Sequence, residues 1–214
     1  MSGEPLVIAV DGPAASGKST LARRLAQHFG LPFLDTGLLY RAVARRLLDA
    51  GGNPADPAAS QEQAEALTVD DIHHPALRDE KVGQTASRVA AHVAVRAALL
   101  PFQRNFAAKM PGAVLAGRDV GTVICPDATV KIFITATVEE RARRRFEELR
   151  RRGDAPIEAA VLEELRQRDR RDEDRAVAPL RIAPDAWILE TTELDADAAF
   201  EAARQHIEAR RKRA

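Results

Sequence analysis

Apolar positions along the chain switch between two periods. Leu6-Val7-Ile8-Ala9-Val10 is an unbroken apolar run bounded by Pro5 and Asp11-Gly12, and it predicts a buried strand. Residues 18–29 then set Leu21, Ala22, Leu25, Ala26 and Phe29 at helical spacing, with Gly30 and Pro32 as the stop. Phe33-Leu34 predicts a second strand, and Thr36 a cap for a helix through about Asp49 that ends at Gly51-Gly52. Residues 53–60, with two prolines, read as a loop, and 61–110 as mostly helix broken at His73-His74-Pro75. Strands follow at 114–116 and 130–135. Two charged helices at 138–152 and 156–175 meet at Gly153-Asp154, and a strand at 187–189 precedes a helix at 195–211. Strands alternating with helices predict an α/β fold, a parallel sheet covered on both faces.

Composition narrows the class. The 214 residues suit one domain, and 45% hydrophobic content excludes a disordered chain. No stretch approaches the roughly 18 consecutive apolar residues of a membrane span. Met1-Ser2-Gly3-Glu4-Pro5 lacks the basic and apolar regions of a secretory signal. The single cysteine, Cys125, forms no internal disulfide or Cys-rich zinc site, so a soluble protein of a reducing cytoplasm is expected. Cys125 and Trp187 read as core, and His73 and His74 as a loop pair rather than metal ligands. Net charge is zero, against the basic excess of a nucleic-acid binder. All but five of the 32 basic residues are arginine, the side chain that grips phosphate with two parallel bonds. The basic run Arg210-Arg211-Lys212-Arg213 reads as a solvated helix end.

Gly12-Pro13-Ala14-Ala15-Ser16-Gly17-Lys18-Ser19 matches the phosphate-loop pattern G-x-x-x-x-G-K-[ST] between a predicted strand and helix, with Thr20 next in line. Such a loop wraps phosphates with backbone N–H groups at a helix N-terminus; Lys18 neutralises the β- and γ-phosphates and Ser19 joins a Mg²⁺ shell. ATP and Mg²⁺ are therefore the expected cofactors. The only asparagines, Asn53 and Asn105, begin no N-K-x-D guanine motif, which argues against a switch GTPase.

Four groups suggest a second, phosphorylated ligand. Asp35-Thr36 to Arg41 can present a guanidinium beside the loop, or can be a capped surface helix. Gly117-Arg118-Asp119-Val120-Gly121-Thr122 follows a strand, where such sheets bind ligands, or can be a self-paired turn. Arg168, Asp172 and Arg175 fall within about 60° on one helix face, as in an ion-pair ladder too. Arg141, Arg143, Arg144 and Arg145 lie on a helical hairpin with few apolar residues, able to close over the donor, or to be solvated through pairs such as Glu140–Arg144.

Together these residues resemble the bacterial cytidylate kinase family from about Val7 to Leu180. The likeness is carried by Asp11 to Thr20, Leu34-Asp35-Thr36-Gly37, Ala86-Ser87-Arg88-Val89-Ala90, Val95-Arg96, Gln103-Arg104, Gly117 to Thr122, Pro126-Asp127-Ala128, Lys131-Ile132-Phe133, and Arg168-Asp169 through Leu180. The resemblance implies a P-loop NTPase-like parallel sheet (about 1–52, 111–138 and 176–214), a helical NMP-binding insertion (53–110) and a helical lid (139–175). It implies a monomeric ATP:CMP phosphotransferase, active also on dCMP. Arg41, Arg118 and Arg175 would hold the acceptor phosphate; Ser87, Arg96 and Asp119 would face cytosine; Arg168 and Asp172 would hold the ribose. Lys18, Arg118, Arg175, Arg141 and Arg145 would share the developing charge. A kinase for UMP, AMP or a non-nucleotide acceptor, or a non-catalytic nucleotide-binding regulator, is the alternative.

Two details sharpen these expectations. Ser87 and Arg96 would face about 180° apart on one straight helix, so joint contact with a base predicts two helices meeting near residues 92–94. The family commonly has an acid where Ala116 stands, and Asp where Glu190 stands; Asp35, Asp119 or Asp11 would replace the acid lost at 116. The 53–80 segment is expected to lack a small antiparallel sheet.

Overall fold

The computed structural model describes residues 5–211. The readings of Met1–Glu4 and of Lys212-Arg213 lie outside them. Five parallel strands form one sheet in the order β2-β3-β1-β4-β5: β1 (Leu6–Asp11), β2 (Phe33–Asp35), β3 (Gly112–Gly117), β4 (Val130–Thr135) and β5 (Trp187–Glu190). β1 is central, so the loop after it opens at the middle of the carboxyl edge. Register pairs Asp11 with Gly117 and Asp35 with Ala116.

The period-two side chains of β1 separate two cores. Ile8 and Val10 pack with Val114, Ile132 and Leu189 under α1 (Lys18–Phe29) and α8 (Ala196–Arg211). Ala9, Leu34, Ala113 and Leu115 face the opposite way, toward Ala107 of α5 (Val93–Ala108) and the π-turn Val120–Ile124. A helical layer, α2 (Thr36–Asp49), α3 (Pro57–Glu65), α4 (Glu80–Val89) and α5, has its own core around Leu39, Val43, Leu47, Val89 and Leu99. The hairpin α6 (Val138–Arg151) and α7 (Glu158–Asp174) buries few apolar side chains: Ala142 and Leu165, which pack with Ala14 of the loop, and Val161. Hydrophobic stabilisation scales with apolar area removed from water, so this hairpin is the most weakly anchored layer.

Several boundaries differ from those expected. Residues 53–60 are not all loop: Asp56 accepts from the Ala58 and Ala59 amides and Pro57 takes the first turn of α3. Asp35, not Thr36, caps α2, accepting from Gly37 N, while the Thr36 hydroxyl donates to Ala116 O. The break near His73 widens into two 3₁₀ turns, Asp70–His73 and Pro75–Arg78, the second capped by His74. Residues 53–79 hold only helix and turns. Arg175 lies one residue beyond α7, so it shares no regular helix face with Arg168 and Asp172. Cys125 and Trp187 are half-buried against the two sheet cores. The helix break between Ser87 and Arg96 is present: α4 ends at Val89 and α5 starts at Val93 after His92.

Candidate active site

The phosphate loop demands its glycines. Gly12 has φ 155°, and a Cβ there would stand 2.1 Å from the Ile134 carbonyl oxygen of β4; Gly17 has φ 87°. Ala15 also sits in the left-handed region, at φ 58°, a conformation that costs a non-glycine residue about 1–2 kcal/mol. Lys18 is buried and donates to Pro13 O at 2.9 Å. Burial above all, and then the nearby Arg118 cation, hold its pKa well below the ordinary lysine range. An ammonium disfavoured in this way gains most when an anion arrives. The Ser16 hydroxyl is buried without a hydrogen-bond partner. Thr20 continues the first turn of α1 and is exposed.

Ser19 Oγ donates to Asp35 Oδ2 at 2.7 Å, joining the start of α1 to the end of β2. Asp35 lies in register with Ala116, so the neighbouring strand supplies a carboxylate beside the position that lacks one. The other two acids are engaged. Asp11 accepts from Val120 N and Gly121 N, and Asp119 pairs with Arg96 and Arg175. Hard oxygen donors at Ser19 and Asp35 suit a Mg²⁺ ion.

Opposite the loop, side chains from α2, α4, α5, the loop after β3 and the end of α7 converge. Arg118 Nε donates to Asp172 Oδ2 at 2.8 Å, so the acid pairs across to the β3 loop and not along its own helix. Burial raises the Asp172 pKa, but Arg118 and Arg168 outweigh it and the net direction is down. Arg168 is half-buried; burial, then the Arg118 charge, lower its pKa to about 10, and its Nε lacks a partner. Arg41 on α2 donates to Leu77 O at 2.7 Å and lies within the electrostatic reach of Asp35 and Arg118. Asp119 is 3.4 Å from Arg175, and Arg96 in turn lies 5.5 Å from the centroid of the Tyr40 ring. Ser87 is buried on α4 with an unpartnered hydroxyl. Buried polar atoms left without partners cost about 1–3 kcal/mol each, and at Ser16, Ser87 and Arg168 they lie where ligand atoms were expected.

The α6–α7 hairpin is tied down at several points. Arg141 is buried and donates to Ala14 O of the loop, Ala136 O and Asp169. Arg144 donates to the Thr191 and Leu194 carbonyls as well as to Glu140, so the helix-surface pair expected there coexists with a tertiary clamp. Arg143 lies outside, paired with Glu140 and Glu147. Arg145 pairs with Glu148 and with Glu80 of α4, and Arg171 donates to Gln84, so hairpin and helical layer touch. A cavity of about 540 Å³ lies between the loop, α6 and residues 191–199, lined by Gly17, Thr20, Arg144 and Thr191. Tyr40 and Asp169 stand inside motifs the sequence displays but carried no role there, and Glu80 and Thr191 offered only a single acid and a single hydroxyl without motif spacing.

A phosphate loop after the central strand of a parallel sheet, facing a guanidinium-lined cleft, defines the P-loop phosphotransferase class. A sequence profile described as cytidylate kinase matches residues 8–209. A cytidylate kinase of Granulibacter bethesdensis is 59% identical over 94% of this chain and 96% of that protein. One of Methylobacterium sp. (strain 4-46) is 60% identical over 96% and 98%. A solved uncharacterized protein from Eubacterium ventriosum shares the fold, at 17% identity and a TM-score of 0.56, over 95% of this chain and 99% of that one. The chain belongs to the cytidylate kinase family.

Proposed function

We propose a division of labour for the reaction that family membership defines, transfer of a phosphoryl group from ATP to CMP by a nucleotide kinase. Donor phosphates lie on the Gly12–Thr20 loop with Lys18 beside them, and the donor nucleoside occupies the cavity by Arg144 and Thr191. Ser19 and Asp35 hold Mg²⁺, which when bound neutralises charge on the donor phosphates. The acceptor phosphate lies among Arg41, Arg118 and Arg175; Arg168 and Asp172 hold the ribose, of CMP or dCMP. Asp119, held by Arg96, accepts from the cytosine N4–H₂ group, and Ser87 flanks it; uracil would present an oxygen there instead.

An oxygen of the acceptor phosphate attacks the γ-phosphorus in line, the bond to the β-bridging oxygen breaks, and ADP and CDP leave. The attacking oxygen is already anionic, so no strong base is needed; positioning and charge neutralisation by Lys18, Arg118, Arg175, Arg141 and Arg145 carry catalysis. Residues 53–110 form the acceptor-binding insertion and 139–175 a lid, as the weak anchoring of α6–α7 supports. The protein acts as a monomer in the cytoplasm, where its substrates are, without nucleic acid. The observation that carries the reading is the convergence of Arg41, Arg118, Asp119, Asp172 and Arg175 opposite Lys18. Coupled ADP release across CMP, dCMP, UMP, AMP and GMP tests it: turnover confined to CMP and dCMP is expected, and none with any acceptor overturns it.

A further inference from the structure

Asp11 is the last residue of β1, next to Gly12, and its carboxylate is 5% exposed. Oδ1 accepts from Val120 N at 2.8 Å and Oδ2 from Gly121 N at 2.7 Å, two successive amides just beyond Asp119. These amides open the π-turn Val120–Ile124, so the carboxylate serves as a cap supplied from another strand. Its backbone partner in the sheet is Gly117, immediately before Arg118. The loop carrying Arg118 and Asp119 is thus fixed to β1 on both sides, by the strand ladder before it and by the Asp11 bonds after it.

We infer that Asp11 is a positioning residue for the acceptor side: it sets the placement of Arg118 and Asp119, although it lies in sequence against the donor loop. The inference rests on the acceptor roles given above to those two residues. Two buried charge-assisted bonds are directional, and a displacement of about 1 Å at a positioning group costs on the order of 10²-fold in rate. Burial raises the Asp11 pKa to about 6, and the hydrogen bonds from Gly121 and Val120 oppose that rise.

Asp11→Asn keeps the shape but turns an amide toward one of the two backbone N–H groups. The expected result is a KM for CMP raised about tenfold or more, a narrower CMP-over-UMP preference, and a KM for ATP within about twofold of wild type. Equal rises for CMP and ATP, or no change in either, overturn the inference. Arg118→Ala and Asp119→Asn are run beside it. If those two leave the CMP parameters unchanged, the acceptor reading itself fails; if they shift them and Asp11→Asn does not, only the positioning role fails. Should Asp11→Asn not fold, amide hydrogen exchange in the wild-type enzyme decides. Val120 and Gly121 amides are expected to be protected and to gain further protection with CMP but not with ATP; exchange unaffected by CMP overturns the inference.

Discussion

Arg118 and Asp172 meet at 2.8 Å across 54 residues of chain, joining the β3 loop to the last helical turns of α7. The Asp172 side chain is only 7% exposed, so each of the two opposite charges depends on the other for compensation. Arg118→Ala is expected to lose about 3 kcal/mol of stability in urea unfolding, because the buried Asp172 carboxylate loses its hydrogen-bonded cation. It also lowers kcat by at least about 100-fold. Adding Asp172→Asn restores most of the stability and none of the turnover. Near wild-type turnover in Arg118→Ala would remove Arg118 from the catalytic set.

Asp119 decides the base. Asp119→Asn keeps its volume beside Arg96 and Arg175 but offers a donor as well as an acceptor. The expected outcome is a fall in the CMP-over-UMP ratio of kcat/KM by about 10²-fold or more. An unchanged ratio in steady-state kinetics would assign cytosine selection to other side chains.

Asp35 supplies the carboxylate that position 116 lacks. Asp35→Asn weakens the acceptor partner of Ser19 and is expected to raise the Mg²⁺ concentration for half-maximal activity about tenfold. Titration of activity with Mg²⁺ at saturating nucleotide checks it. The same half-saturation in the variant refutes the assignment.

Asp11 and Asp172 give stability opposite dependences on pH. Asp11 has a folded pKa raised to about 6 from 3.8. Its contribution is complete below about 4 and is lost as pH rises through about 6, a difference of about 3 kcal/mol. The Asp172 pKa is depressed, so its contribution is present above the unfolded value and lost as pH falls through the folded one. Unfolding of wild type and Asp11→Asn between pH 4 and 7 isolates the first effect: the stability gap between the two should change by about that amount. A gap constant across the range would show that Asp11 does not titrate there.

The strands, α1 and the phosphate loop were legible because their signals are local. β-Branched runs, helical spacing and a glycine at φ 155° each concern neighbours in the chain. The bend between Ser87 and Arg96 was legible once the resemblance gave both residues one base, since one straight helix would point them opposite ways. The first turn of helix α3, residues 57–60, was read as loop because two prolines suggested it, whereas Pro57 sits at a capped first turn, the one helical place that favours it. The partners that hold the Arg141 guanidinium, Ala14 O and Asp169, lie 127 and 28 residues away, which no spacing rule could supply.

By itself the chain determined a parallel α/β architecture, an anion-binding loop and a stock of arginines, because periodicity and steric limits act over a few residues. Tertiary structure alone decided which acid stands beside Ser19, which amides Asp11 holds and which carboxylate pairs with Arg118. Those choices follow from the strand order β2-β3-β1-β4-β5, which brings the carboxyl ends of distant segments to one edge. There, burial makes each unpaired charge costly enough to select its partner.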